Sequence, residues 1–172
     1  MNNAVLLAAA GLLVIFAGCC AMADAALGRV APTRVAELVD NRVRGARALA
    51  VVTQSLPAHV SLLILLRLAC ELTATLLVAW AAIDAWGSGY LALGISAAGM
   101  TVVSFVLVGV GPRTLGRQHP YSVALATAGP IRRIGHVLGP LARLLILVGN
   151  AVTPGKGYRE GPFATELELR EL

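Results

Sequence analysis

Three long stretches of this chain carry almost no charge: Ala4 to Leu27, Val60 to Ile83 and Leu91 to Val110. Each is about as long as the ~20 apolar residues that an α-helix needs to cross a bilayer. The rest of the composition leaves no soluble alternative. Apolar residues make up 58% of the chain, charged residues 13%, and mean hydropathy is +0.79, against about 45–50% apolar and about 25% charged in soluble domains. A soluble fold of 172 residues leaves about a third of its surface in water, so lipid has to act as the solvent. The expected fold is all-α and integral to the membrane, with three transmembrane helices and amphipathic juxtamembrane helices. Abundant Gly and Ala suit close packing of such helices.

Charge placement sets the topology. No Lys or Arg precedes Arg29, five arginines lie between Leu27 and Val60, the Asp84–Tyr90 loop has none, and eight Lys plus Arg follow Val110. Positive charge stays on the cytoplasmic side, which gives an outside N-terminus and a cytoplasmic C-terminus in the plasma membrane. Ala21-Met22-Ala23 mimics a signal cleavage site and Phe16–Cys19 loosely resembles a lipoprotein box. Both need a basic stretch before the apolar run, so the run reads as an uncleaved span. Trp80, Trp86 and Tyr90 bracket the outer loop, as aromatics do at membrane surfaces. The net charge of +5 lies in blocks beside the spans without interleaved aromatics, which excludes a nucleic-acid partner.

Residues 32–52 read as one amphipathic helix on the cytoplasmic interface. Val35, Leu38, Val39, Val43, Ala46 and Leu49 lie on one face, with Asp40 and Arg44 paired four apart on the other. Residues 120–152 read as a short helix from His119-Pro120, closed by Gly129-Pro130, then a kinked interfacial helix. The latter carries a basic stripe of Arg132, Arg133, His136 and Arg143. Residues 1–152 form the membrane domain, and 153–172 read as a linker and the start of a cytosolic region.

Three ionisable residues fall inside the spans: Asp24, Arg67 and Glu71. Each costs at least about 2.5–3.5 kcal/mol near the bilayer centre, so each is a functional candidate. Arg67 and Glu71 sit four apart and pair on one helix face, and Asp24 is within reach of Arg67. The alternative to a transport role is a structural clamp between helices. No nucleophile–base pair, phosphate loop or metal-ligand spacing occurs, the three histidines are far apart in sequence, and no enzyme activity is expected. Cys19, Cys20 and Cys70 lie in apolar runs and serve as small apolar residues.

Gly111-Pro112-Arg113-Thr114-Leu115-Gly116-Arg117-Gln118-His119-Pro120 is similar to the P-K-T-L-A-x-x-x-P turn of the CNNM/CorC proteins, often labelled hemolysin-like, and Ala23-Asp24-Ala25-Ala26-Leu27 resembles their S-E-x-A-L. The resemblance covers essentially the whole chain, and residues 153–172 match the approach to a cytosolic CBS-domain pair. It implies a dimer, homo- or heterodimeric, in divalent-cation (Mg²⁺) transport or homeostasis, with Mg²⁺ held near mid-membrane by polar groups of the three spans. At those positions this chain has Ala23 for a serine, Asp24 for the acid, Leu68 for an asparagine and Val108-Gly109 for Gly-Glu, with Arg67 in place of glycine. The metal candidates reduce to Asp24 and Glu71, and the expected site is degenerate. The turn motif contributes Gly109, Gly111, Pro112 and Arg113. The second reading is a transport-inactive regulatory or assembly subunit.

Cysteine labelling in intact cells checks the topology. Gly87→Cys is expected to react from outside, and Arg44→Cys and Lys156→Cys only from the cytoplasm. Outside labelling at 156 would make the stretch from Ile131 to Val152 a fourth span.

Overall fold

Asn2 caps the first helix, its side-chain oxygen accepting the Ala4 N–H at 3.3 Å, and unbroken apolar sequence then carries α1 from Asn3 to Leu27. The computed structural model describes residues 2–87 and 89–152, and all regular structure among them is helical. After α1 come α2 (Pro32–Asp40), α3 (Ala46–Gln54), α4 (Leu56–Trp86) and α5 (Tyr90–Ser104). A π-helical segment (Phe105–Val110), α6 (Gly111–Gln118) and α7 (Pro120–Val152) complete the order. Three stretches are long and apolar enough to cross a membrane: Asn3–Leu27, Leu56–Trp86 and Tyr90–Gln118. Each contains one of the three spans read from the sequence.

The third crossing runs further than its sequence suggests. Gly111-Pro112-Arg113 was expected to end it, yet the chain stays helical to Gln118. Proline has no N–H and its ring collides with the carbonyl four residues back, here Val108. The helix avoids that collision by widening before Pro112. Phe105–Val110 is π-helical, and the Gly111 N–H reaches five residues back to the Val106 carbonyl.

The contacts divide the chain into two compact units. One comprises Met1–Arg29 with Leu63–Val123, and the other Val30–Leu62 with the described part of Ala124–Leu172. In the first unit, small residues let backbones meet. Ala10, Val14, Ala17 and Ala21 of α1 share a core with Ala74, Met100 and Val108, while Leu12 and Ile15 face outward into the lipid. A Cβ on Gly18 would lie 2.8 Å from the Leu107 carbonyl oxygen and 3.2 Å from Pro112 Cγ. A Cβ on Gly116 would lie 2.3 Å from the Met22 carbonyl oxygen and 3.2 Å from Ala25 Cβ. Residue numbers rise together along both contacts. The first crossing therefore runs parallel to the segment from Leu107 through α6, as three alternating crossings require.

The second unit departs from the expected single helix over residues 32–52. That helix ends at Asp40. Arg42 turns left-handed (φ 55), with the Arg42 N–H bonded to the Val39 carbonyl and the Val43 N–H to the Leu38 carbonyl at 3.0 Å. This double closure is a Schellman motif, which glycine ordinarily serves, so no residue type announced it. Gly45 (φ 88) then opens α3, and a Cβ there would lie 2.6 Å from the Leu125 carbonyl oxygen. Arg44 falls beyond the helix end, so the expected helical pairing with Asp40 does not apply. Arg34 instead pairs with Glu37 within α2.

The α7 helix runs through both Pro130 and Pro140, so Gly129-Pro130 does not close it. Ala124, Ala128 and Ile131, on one face, are buried. Their packing offsets the hydrogen bond that Pro130 removes.

The close approach of α1 and α6 gives a direct test. Gly116→Ala is expected to lower unfolding stability in detergent by about 1–3 kcal/mol or more, the usual cost of overpacking. Gly94→Ala, which has open space around it, should leave stability within about 0.5 kcal/mol of wild type.

Candidate functional site

The long apolar α4 carries two opposite charges one helical turn apart, and lipid offers neither a water shell. They satisfy each other: Arg67 Nε donates to Glu71 Oε1 at 3.1 Å, with side chains 24% and 18% exposed. Both line a cavity of about 470 Å³ that also takes in Thr75, Thr101, Ser104 and Gly109. Thr75 and Thr101 donate their hydroxyls to the carbonyls of Glu71 and Ala97 in the preceding turns, each at 2.8 Å. Their oxygens remain free as acceptors. The π-helical segment contributes Phe105 and Gly109 to the cavity wall, and such wide turns recur at functional sites.

Asp24 lies half-buried near the end of α1, in the stretch that Gly116 approaches at Met22 and Ala25. Arg113 is three residues before Gly116, one turn away on the same face of α6. The packing therefore brings Arg113 within electrostatic range of Asp24. Arg113 Nε is buried and has no hydrogen-bond partner among the described residues.

The expected trio of Asp24, Arg67 and Glu71 is thus joined by a fourth charge. In the sequence, Arg113 belongs to the turn motif that closes the third span at Gly111-Pro112-Arg113. A helical register carried through Pro112 would have revealed it. Of these four side chains, Arg67 and Glu71 make the ion pair seen among the described residues. Among the described residues, no three His, Cys, Asp or Glu side chains gather closely enough to hold a metal ion. Of the turn motif, Gly109 lines the cavity, Gly111 makes the five-residue hydrogen bond, and Pro112 packs at Gly18.

In the second unit, Arg132, Arg133 and His136 of the basic stripe line a groove of about 740 Å³ with His59. Two histidines that are far apart in sequence therefore share one surface. The Arg143 side chain lies outside the described residues.

Residues 7–172 match the CNNM family through its Cyclin M transmembrane N-terminal domain. The chain is 52% identical over 164 residues to UPF0053 protein Rv2366c of Mycobacterium tuberculosis and to UPF0053 protein Mb2387c of Mycobacterium bovis, covering 93% of this chain and 37% of each relative. It is 25% identical over 171 residues to UPF0053 protein sll1254 of Synechocystis, covering 97% of this chain and 47% of that protein. The chain thus spans less than half the length of these relatives. With three helices able to cross a membrane and this match over nearly its whole length, the chain belongs to the CNNM family.

Proposed function

We propose that this chain is the membrane domain of a CNNM-type protein that serves divalent-cation homeostasis, with Mg²⁺ as the cation to test first. It sits in the plasma membrane with its N-terminus outside and its C-terminus in the cytoplasm, and it works as a dimer, with itself or with a related chain. It carries out no catalysis of its own. The observation that carries this reading is the Arg67–Glu71 pair at the cavity of α4 and the third crossing. Such residues in a membrane segment mark ion pathways or internal clamps.

The same observation limits what the set holds unaided. Mg²⁺ takes several hard oxygen ligands in near-octahedral geometry, and here Glu71 is engaged by Arg67 while Asp24 lies within electrostatic range of Arg113 and Arg67. A unit positive charge about 5 Å from a divalent cation costs roughly 6–7 kcal/mol at an effective dielectric of about 20. These residues do not fit a resident Mg²⁺, and we read the family site as degenerate. That favours a second reading, in which the chain is a transport-inactive regulatory or assembly subunit and the charge set is its clamp.

Thermal unfolding in detergent separates the two. A ligand that binds the native state stabilises it by RT ln(1 + [L]/Kd). Millimolar MgCl₂ is expected to give no saturable rise in Tm beyond an ionic-strength control. A saturable rise that disappears in Asp24→Ala would restore a working metal site.

A further inference from the structure

The groove of the second unit collects basic side chains from two helices. His59 stands in the first turn of α4, while Arg132, Arg133 and His136 come from the middle of α7. Gly135 allows this meeting, since a Cβ there would lie 3.1 Å from both His59 Cδ2 and Nε2. The imidazole is also oriented from its other side. Its Nδ1 lies 2.9 Å from the Ser55 carbonyl oxygen and 3.2 Å from the Ser55 hydroxyl, which leaves the Nε2 edge against α7.

Among the described residues, no carboxylate lines this groove. Arg132 and Arg133 make no ion pair among the described residues, so the cations repel one another until an anion arrives. Val51 and Val137 line the same groove and are 41% and 73% exposed. A ligand that suits it has an anionic head and an apolar body. Depth in the membrane points the same way: His59 is three residues from the start of a membrane-crossing helix, at the level of lipid headgroups. Arginine matches phosphate oxygens with paired hydrogen bonds, and basic pockets at this level take anionic headgroups.

We propose that His59, Arg132, Arg133 and His136 form a binding site for the phosphate headgroup of an anionic phospholipid, with Val51 and Val137 against its glycerol and first acyl carbons. The groove is far larger than a phosphate ion needs, and its apolar walls would be idle around one. The site depends only on α4 crossing the membrane, and it stands whether or not the charge set of the first unit handles a cation.

The test uses the full chain in zwitterionic detergent micelles doped with phosphatidylglycerol or phosphatidylcholine, read by native mass spectrometry and thermal shift. Phosphatidylglycerol is expected to stay bound and to raise Tm saturably, and phosphatidylcholine to do neither. Arg132→Gln/Arg133→Gln should weaken phosphatidylglycerol binding at least tenfold. Arg34→Gln/Arg44→Gln removes the same charge away from the groove and should weaken it less than threefold. His136→Gln alone should cost a few-fold, which keeps the test decisive if the double arginine variant unfolds. Equal losses in the two double variants, no loss in His136→Gln, or equal retention of both lipids would overturn the proposal. Displacement of the lipid by millimolar inorganic phosphate would assign the groove to a soluble anion and overturn the lipid reading.

Discussion

Lipid does not push helices together, so a membrane domain of this kind depends on how closely its backbones can approach. Here that approach is made at two glycines. Gly18 admits the Leu107 carbonyl and Pro112, and Gly116 admits the Met22 carbonyl. Neither contact leaves room for a Cβ, and between them they fix the first crossing against the end of the third in parallel. The rest of the first unit follows from that geometry. Pro112 packs against α1 because the π-helical segment ahead of it absorbs the proline's clash. One turn before Gly116, Arg113 then falls within electrostatic range of Asp24.

The charge set is best understood as a consequence of solvent. In water, Arg67 and Glu71 would form a pair of little energetic weight. In a hydrocarbon surrounding, removing one partner leaves the other uncompensated, at a much larger cost. As the proposed clamp between helices this set would need no metal, whereas a divalent cation on the proposed transport path would meet the repulsion of its arginines. This is the physical tension between the transport and subunit readings. The basic groove of the second unit poses no such conflict, since no carboxylate lines it among the described residues.

The three crossings were legible because their cause is composition alone: no soluble fold can hide runs such as Ala4 to Leu27. The pairing of Arg67 with Glu71 was legible too, because i,i+4 spacing on a helix places two side chains together whatever surrounds them. The breaks were not. The end of α2 at Asp40 depends on a left-handed Arg42, which no residue preference signals, and on Leu125 approaching Gly45. The run of α7 through Pro130 reverses an ordinary stop signal, because burial of Ala124, Ala128 and Ile131 outweighs it. The approach of Arg113 to Asp24 and the meeting of His59 with His136 were not legible, for one reason. Both arise from contacts between segments distant in sequence, and spacing along one helix does not encode them.

The central claim is that the close approach of α1 and α6 couples Asp24 to Arg113 within the membrane. A double-mutant cycle on unfolding stability in detergent, with Asp24→Asn, Arg113→Gln and the two combined, measures that coupling directly. Groups that interact show non-additivity of about 0.5–3 kcal/mol, and independent sites add within about 0.3–0.5 kcal/mol. The account predicts that each single change destabilises and that the pair is coupled by about 1 kcal/mol or more, with the coupling lost in a Gly116→Ala background. Additivity within about 0.3 kcal/mol would contradict it.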